Sequence, residues 1–465
     1  MHNTLTTIRP LIAVLATVAV LAGACSTSKG GGWIDGEPDW YHDEVSDAAV
    51  AEEAMVEAEM AEDAADIAVE ETAAAEAPSP TAAPATTIGS GDEPAPEADI
   101  APESEQPQTR LTGGSIDDNE RFEDYLAYRA EFFGLGVPVR DLDPAGRIVV
   151  TVTGENGLPA AGAEVVVTGD GVEVILRTTA DGTVRFHPDA YGDGAGPFTV
   201  SAGGVSTTAG RGEIVTLETS LPTASGETVA LDVLFLLDAT GSMADEIHQL
   251  KITIDEVAQR IHQLPGDVDV RLGMTLYRDE FDSFLTSTFD LTPEIEAFSE
   301  ALSVVVADGG DDYPEALDEA LAEALSRPSW RSASETVQLI FLVADAPPQV
   351  LRQVPVPYTD SMREAARRGI KVFPVSSSGT DDQAEFVFRQ LAQFTGARYV
   401  FLTYGAEGRA TGPASDIDEL DYEELSLDDL IVRLVAEELA ALTAAPDDES
   451  GSEAPTTTQD DQQGN

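Results

Sequence analysis

Residues 229–243, VALDVLFLLDATGSM, decide the fold of this chain. The near-continuous apolar run that ends at Asp238 is typical of a strand buried on both faces of a parallel sheet. After this run, apolar residues recur with the 3.6-residue period of an amphipathic helix: Ile247, Leu250, Ile254, Val257, Ile261 and Leu264. A buried strand that leads through a short polar turn into such a helix predicts the first unit of an α/β sheet.

Strands and helices continue to alternate as far as residue 405. Further strands are predicted at 270–279, 287–292, 337–345, 370–376 and 398–402, and further helices at 293–305, 314–325, 360–368 and 382–394. This alternation predicts an open, doubly wound and mainly parallel sheet with helices on both faces, in which the strand 287–292 runs antiparallel. The predicted fold class is therefore α/β, and ligands of such sheets bind beyond the carboxyl ends of the strands.

The region before this sheet has a different pattern. Residues 117–133 place aromatic and apolar side chains at helical spacing and predict a docking helix. Short alternating segments at 147–153, 162–169, 172–179, 182–188 and 196–202, separated by turn signals, then predict a small antiparallel β-sandwich. The pattern VTVTGENGLPAAGAEVVV…TTADGTVRF resembles the carboxypeptidase-regulatory-like or transthyretin-like β-sandwich, which implies a support or adhesion module without catalysis.

The chain is strongly acidic, with 86 Asp plus Glu against 25 Lys plus Arg and a formal net charge of −61. Because the phosphates of a nucleic acid need a basic surface, this charge excludes a nucleic-acid partner. Residues 30–108 contain no Lys or Arg. They are predicted to be a disordered spacer that lifts the domains off a membrane or, alternatively, a segment that binds a partner.

The first 25 residues have the pattern of an export signal, with Arg9 ahead of an apolar run that ends at Ala24. This run is shorter than the roughly 20 apolar residues that a bilayer requires. Residues 21–25, LAGAC, resemble a bacterial lipobox. The resemblance implies cleavage before Cys25, lipidation of its thiol, and a position on the extracytoplasmic face of the cell membrane or envelope. The alternative is an ordinary secretory signal in which the cysteine is incidental.

These patterns divide the chain into five predicted parts. They are a signal peptide at 1–24, an acidic disordered linker at 25–115, the docking helix and β-sandwich at 116–225, the α/β domain with a C-terminal helix at 226–444, and a disordered acidic tail at 445–465. The single cysteine excludes disulfide frameworks and zinc sites built from cysteines.

Three polar segments fall at strand ends that the predicted topology brings to one edge of the sheet. They are DATGSM at 238–243, GGDDYP at 309–314 and DAPP at 345–348. Carboxylates and hydroxyls on rigid loops are the oxygen ligands that a hard divalent cation prefers. Taken alone, Asp238 and Ser242 are also preferred residues at the start of a helix, so helix capping is the alternative.

The series DATGSM…YRD…GGDDYPEAL…W…ADAPP resembles the bacterial and alpha-kinase-associated branch of the von Willebrand factor type A family. Asp238, Thr240 and Ser242 match the DxSxS metal-ion-dependent adhesion motif of that family, and Asp345 matches the later Asp of the motif. The resemblance implies that these residues hold Mg²⁺, Ca²⁺ or Mn²⁺. A fold that is retained without its metal is the alternative.

Two further carboxylates belong to this prediction. Asp311 stands where the family has a Thr, and we predict that it is an additional ligand. A third carboxylate strengthens the hold on the bare cation and weakens the pull of the cation on an incoming carboxylate. Asp279 lies at the same predicted edge and either supports the site from behind or pairs with Arg278 in its own loop.

The resemblances to a lipobox and to the type A family together imply a membrane-anchored, adhesion-type protein-binding module. Its cation would help to hold an acidic group of a protein partner. The alternative is a structural or assembly scaffold of the cell envelope that uses no metal. The sequence contains no nucleophile elbow, P-loop, GxGxxG or HExxH motif. The chain is therefore not predicted to be an enzyme.

Overall fold

The computed structural model describes residues 33–34, 111–192, 194–224, 228–264, 267–310, 313–332, 336–377, 379–403 and 422–444. The predicted signal peptide, Cys25, Asp311 and the predicted C-terminal tail lie outside the described residues. So does the predicted acidic linker, apart from Trp33, Ile34 and its last residues from 111 onward.

The largest sheet has nine strands, which we number in chain order. In spatial order they are β1 (Trp33–Ile34), β12 (Thr286–Thr292), β11 (Val268–Tyr277), β10 (Val229–Asp238), β13 (Thr336–Ala344), β14 (Lys371–Ser376), β15 (Tyr399–Thr403), β2 (Thr112–Ile116) and β16 (Leu425–Ser426). The five neighbouring strands in the middle of this order, β11, β10, β13, β14 and β15, pair in parallel. Antiparallel pairs complete both edges. The predicted α/β class and the antiparallel strand at 287–292 are confirmed.

Helices lie on both faces of this sheet. They are α1 (Phe122–Leu135), α2 (Ala244–His262), α3 (Ile295–Ser303), α4 (Leu317–Ser326), α5 (Tyr358–Arg368), α6 (Asp382–Thr395) and α7 (Leu427–Ala441). Because successive side chains of a strand point to opposite faces, Phe235 of β10 packs in one core with α2, α3 and α7, whereas Leu236 packs in a second core with α4, α5 and α6. Among the described helices, none is long and apolar enough to cross a membrane.

The strand β2 lies at the end of the predicted linker, and the sequence analysis did not predict it. Its sequence, TGGSI, has two glycines and no apolar alternation. The backbone nevertheless pairs antiparallel with β15, because glycine allows an approach that a side chain would prevent. A Cβ atom at Gly114 would lie 2.6 Å from the Cζ atom of Phe401.

Two small sheets precede the large one. Their strands are β3 (Ile148–Thr153), β4 (Glu164–Gly169), β5 (Val172–Arg177), β6 (Thr183–Phe186), β7 (Phe198–Ala202), β8 (Val205–Ala209) and β9 (Ile214–Glu218). The three-stranded sheet has the order β6-β3-β9, the four-stranded sheet has the order β5-β4-β7-β8, and both enclose one apolar core. The expectation of purely antiparallel pairing was wrong at one place, since β9 pairs in parallel with β3.

The small sheets and α1 contact the large sheet through buried side chains. The ring of Phe132 in α1 stacks on Phe386 of α6 with their centroids 4.2 Å apart. His187, which follows β6, is completely buried and stacks on Phe394 of α6 at 4.5 Å. Burial lowers the pKa of His187 to about 3. These contacts join α1 and the small sheets to α6, which covers one face of the large sheet.

Candidate functional site

Three loops meet at the carboxyl edge of the large sheet, and we call them the site loops. They are the loop after β10, the loop between α3 and α4, and the loop after β13. The backbone N–H of Gly241 donates to the carbonyl oxygen of Gly309 over 2.9 Å, and that of Glu315 donates to the carbonyl oxygen of Pro347 over 3.0 Å. These bonds bring together the three polar segments that the sequence analysis placed at one edge.

Asp238 ends β10 and is completely buried. Its Oδ1 atom accepts hydrogen bonds from the backbone N–H of Thr240 over 2.9 Å and from the Thr240 hydroxyl over 2.6 Å. The Thr240 hydroxyl lies 3.1 Å from the hydroxyl of Ser242. Met243 occupies the N-cap position of α2 without a side-chain cap. Asp238 and Ser242 therefore do not have the helix-capping role of the alternative interpretation.

Asp345 follows β13 and completes a pair of buried carboxylates with Asp238. Burial raises the pKa of Asp345, and a hydrogen bond with the Ser242 hydroxyl offsets part of that rise. Burial and the nearby charge of Asp345 raise the pKa of Asp238 to about 7. The Oδ2 atom of Asp238 and the Oδ1 atom of Asp345 are buried, and neither accepts a hydrogen bond from the described residues. Both carboxylates thus keep an unused acceptor atom.

Glu315 is a third buried carboxylate of the site, and the sequence analysis did not single it out. Burial, and next the charge of Asp238, raise the pKa of Glu315 to about 9. Its Oε2 atom is buried without a hydrogen-bond partner among the described residues. The signal was present, because Glu315 belongs to the same GGDDYPEAL motif as Asp311. The described part of the middle loop thus supplies Glu315.

Gly310 allows the middle loop to approach the other residues of the site. It has a φ of +67°, a conformation that L side chains rarely adopt. A Cβ atom at this position would lie 2.6 Å from the Cβ atom of Thr240 and 2.7 Å from the Oε1 atom of Glu315. The backbone of Gly310 therefore packs between a hydroxyl residue and a carboxylate of the site.

The loop between β11 and β12 borders the site. Asp279 is buried there, and its charge contributes to the raised pKa of Glu315. The side chain of Arg278 donates to the carbonyl oxygens of Ala239 and Val306, over 3.2 Å and 2.9 Å, so it ties this loop to two of the site loops. These positions agree with a supporting place for Asp279 at the same edge.

Phe281 lies at the tip of this bordering loop, and its side chain is fully exposed. Its φ is +72°, in the left-handed region that costs a residue other than glycine about 1 kcal/mol. The carboxylate of Asp282 holds the loop, because it accepts from the backbone N–H groups of Asp279 over 3.1 Å and Gly310 over 3.0 Å. Leu351, after β13, is 85% exposed. An ion pair between Glu280 and Arg352 joins the neighbours of these two apolar side chains.

The site offers oxygen atoms as ligands, namely the carboxylates of Asp238, Asp345 and Glu315 and the hydroxyls of Thr240 and Ser242. No basic side chain is among the causes that shift the pKa of the three carboxylates. In the described part of the chain, no three His, Cys, Asp or Glu side chains are arranged closely enough to hold a metal ion by themselves. The site combines carboxylate and hydroxyl oxygens, the kinds of ligand that a hard cation prefers.

Comparison with known proteins identifies the domain that carries this edge. The model of the von Willebrand factor type A domain matches residues 232–404. Over 119 residues the chain is 32% identical to a protein of Dictyostelium discoideum named alpha-protein kinase vwkA. The match covers 25% of this chain and 18% of that protein, so the chain spans less than a fifth of the length of this relative.

Two solved structures are also similar to the chain. One is proximal thread matrix protein 1 from the mussel byssus, with 12% identity and a TM-score of 0.30, where the match covers 39% of this chain and 47% of that one. The other is the conserved hypothetical protein BatB from Bacteroides thetaiotaomicron, with 15% identity and a TM-score of 0.30, where the match covers 46% and 99%. The family match alone assigns residues 232–404 to the von Willebrand factor type A domain, a kind of domain that commonly mediates protein–protein interaction.

Proposed function

We propose that this protein is a lipid-anchored, extracytoplasmic binding module that uses a divalent cation at the site loops to capture a protein partner. The observation that carries the proposal is the unused acceptor atoms of Asp238, Asp345 and Glu315. These atoms are buried, and no basic side chain of the described residues is among the causes that shift the pKa of the three carboxylates. Buried charges in proteins are ordinarily paired or coordinate a metal. A bound cation supplies the missing positive charge.

The five oxygen-bearing side chains of the site have distinct places in this proposal. The hydroxyls of Thr240 and Ser242 and the carboxylates of Asp238 and Asp345 hold the ion, and Glu315 is an acidic neighbour whose charge favours a bound cation. Mg²⁺, Ca²⁺ and Mn²⁺ all prefer such oxygen ligands. Asp311, which lies outside the described residues, is a further ligand in this proposal. The cation, when bound, supplies an electrophilic centre whose open coordination position takes an oxygen atom of the partner.

The partner is a protein that presents an acidic group to this ion. Phe281 and Leu351, both strongly exposed, flank the site loops and supply apolar area around the point of capture. An exposed aromatic residue on a strained backbone is a feature that proteins retain at functional sites. The acidic side chains of the surrounding loops repel other carboxylates. We therefore expect the rest of the partner's contact surface to carry few acidic groups.

The anchor in this proposal is Cys25. Its support is the apolar run with small residues before the cysteine in the sequence. Two or more acyl chains bind a bilayer stably, because each buried CH₂ contributes about 0.8 kcal/mol. Mass spectrometry of the mature protein tests this part directly. We expect an acylated Cys25 at the N-terminus, and an unmodified thiol would contradict it.

Titration calorimetry of the full mature chain with Mg²⁺, Ca²⁺ and Mn²⁺ tests the metal site. We expect binding by the wild type, none by Asp238→Ala or Asp345→Ala, and wild-type binding by Glu300→Gln. Glu300 is a suitable control because it is an exposed carboxylate of α3, away from the site loops. A wild type that binds none of the three ions would contradict the proposal and favour a scaffold without metal.

A further inference from the structure

The strand β1 gives the first described part of the chain a fixed place on the large sheet. It pairs antiparallel with β12, and its register places Trp33 opposite Phe289 and Ile34 opposite Thr288. Without β1, β12 would be the outer edge of the sheet. Exposed edges invite pairing with other chains. The chain therefore covers this edge with a strand of its own.

The register of β1 also fixes the direction from which the chain arrives. Thr286, at the start of β12, pairs with Tyr277, at the end of β11, so β12 begins at the carboxyl edge and runs away from the site loops. Because β1 is antiparallel to β12, it runs toward the site loops. The N-terminal end of β1 therefore points away from the candidate site.

We propose that β1 is an orienting tether, which holds the type A domain close to the membrane with the site loops facing outward. This inference rests on the proposed lipidation of Cys25. Trp33 follows Cys25 by eight residues, and a chain of that length reaches at most about 28 Å. A flexible spacer from Cys25 to β2 would instead separate its ends by roughly 50 Å on average.

In this proposal the acidic segment after β1 does not separate the domain from the membrane, because it connects two strands of the large sheet. It leaves β1 at one edge of the sheet and ends at β2, next to the last strand at the other edge. Seven strand spacings of about 4.8 Å separate these two strands. In this proposal the distance from the anchor to the domain is therefore set by the few residues before Trp33.

Hydrogen exchange of the non-acylated protein tests the pairing independently of the membrane. The double variant Trp33→Gly, Ile34→Pro removes the side chains and one N–H group of β1. The matched control, Trp40→Gly with Tyr41→Pro, makes the same kind of change a few residues later in the acidic segment. We expect faster exchange at β12 amides in the first variant alone. Equal protection of β12 in all three proteins would overturn the pairing.

Energy transfer from a labelled domain to an acceptor lipid tests the orientation in vesicles of neutral phospholipid. One label is placed at Leu351→Cys, beside the site loops, and another at Gln263→Cys, at the opposite end of α2. We expect stronger transfer from Gln263→Cys than from Leu351→Cys in the acylated wild type. This difference should disappear in the β1 double variant and persist in the control.

Stronger transfer from Leu351→Cys, or no difference between the labels, would overturn the orientation while leaving the cation site untouched. A mature protein that is not acylated would fail to bind the vesicles before any distance is measured. That result would overturn the anchored function, and the orientation with it, whereas the exchange experiment would still decide the pairing.

Discussion

The two ends of β10 carry buried carboxylates with opposite surroundings. Asp232, near the start of the strand, accepts two hydrogen bonds from Arg271, over 2.9 Å and 2.7 Å, and one from the Nε atom of Arg331 over 2.8 Å. Asp238, at the end, accepts from the backbone N–H and the hydroxyl of Thr240, and no arginine is among the groups that shift its pKa. It keeps an Oδ2 atom that is buried without a hydrogen-bond partner among the described residues. The same residue type on the same strand is thus fully compensated at one end and uncompensated at the end that carries the candidate site.

This contrast distinguishes a carboxylate that stabilises the fold from one that we propose to bind a cation. A buried charge with hydrogen-bonded partners holds the loops around it and needs nothing further. A buried carboxylate beside other carboxylates raises the free energy of the folded state until a proton or a cation joins it. The following predictions use pairs of variants to test this difference.

The largest effect is expected for Asp232→Asn. The substitution removes the negative charge that Arg271 and Arg331 share, and both guanidinium groups are mostly buried. Removing one partner of a buried ion pair destabilises a protein by about 3 kcal/mol or more. Chemical denaturation of the full chain should show this loss. A loss below about 1 kcal/mol would contradict the structural role of Asp232.

The pH dependence of stability is the next effect. Burial and the neighbouring carboxylates raise the pKa of Glu315 to about 9, whereas an unfolded glutamate titrates near 4.5. Because the folded protein binds this proton more tightly than the unfolded chain does, the contribution of Glu315 is most favourable below pH 4.5 and is lost as the pH rises to about 9. In metal-free buffer, Glu315→Gln should flatten this fall, and Glu300→Gln should not. Identical pH profiles for Glu315→Gln and the wild type would contradict the assigned surroundings of Glu315.

The smallest effect is expected at Phe281. Glycine relieves the left-handed backbone of this residue, so Phe281→Gly should leave the free energy of unfolding unchanged or raise it by up to about 1 kcal/mol. Phe281→Ala keeps the strain and removes the ring. Once a partner is identified, both variants should bind it more weakly than the wild type. Wild-type affinity in both would show that the exposed ring is not part of the binding surface.

The strongest local patterns were the ones that the sequence predicted well. β10 was predicted with its observed bounds because a strand buried on both faces needs a continuous apolar run, and α2 followed from its clear helical period. The meeting of the three site loops followed from topology alone, since parallel strands end at one edge. These features depend on patterns within one segment or on a general rule of connection.

The features that the sequence analysis missed depend on contacts between distant segments. β2 consists mainly of small residues, which allow it to approach β15 closely. β1 has two residues, and its strand conformation follows from its pairing with β12. Glu315 lies in the GGDDYPEAL motif, but the motif does not indicate which of its carboxylates turns toward Asp238. Contacts between loops place Glu315 at the site, because its backbone N–H donates to the carbonyl oxygen of Pro347 and Gly310 packs between Glu315 and Thr240.

The most direct test of the cation site is the stability that a divalent cation adds to the full chain. Denaturation is measured with and without Mg²⁺ or Ca²⁺ for the wild type, Asp238→Asn and Asp232→Asn. At a concentration one hundred times its Kd, a cation that binds only the folded state adds about 2.7 kcal/mol. We predict this gain for the wild type and for Asp232→Asn, from its lower starting stability, and no gain for Asp238→Asn. Equal gains in the wild type and Asp238→Asn, or no gain in the wild type, would contradict the account.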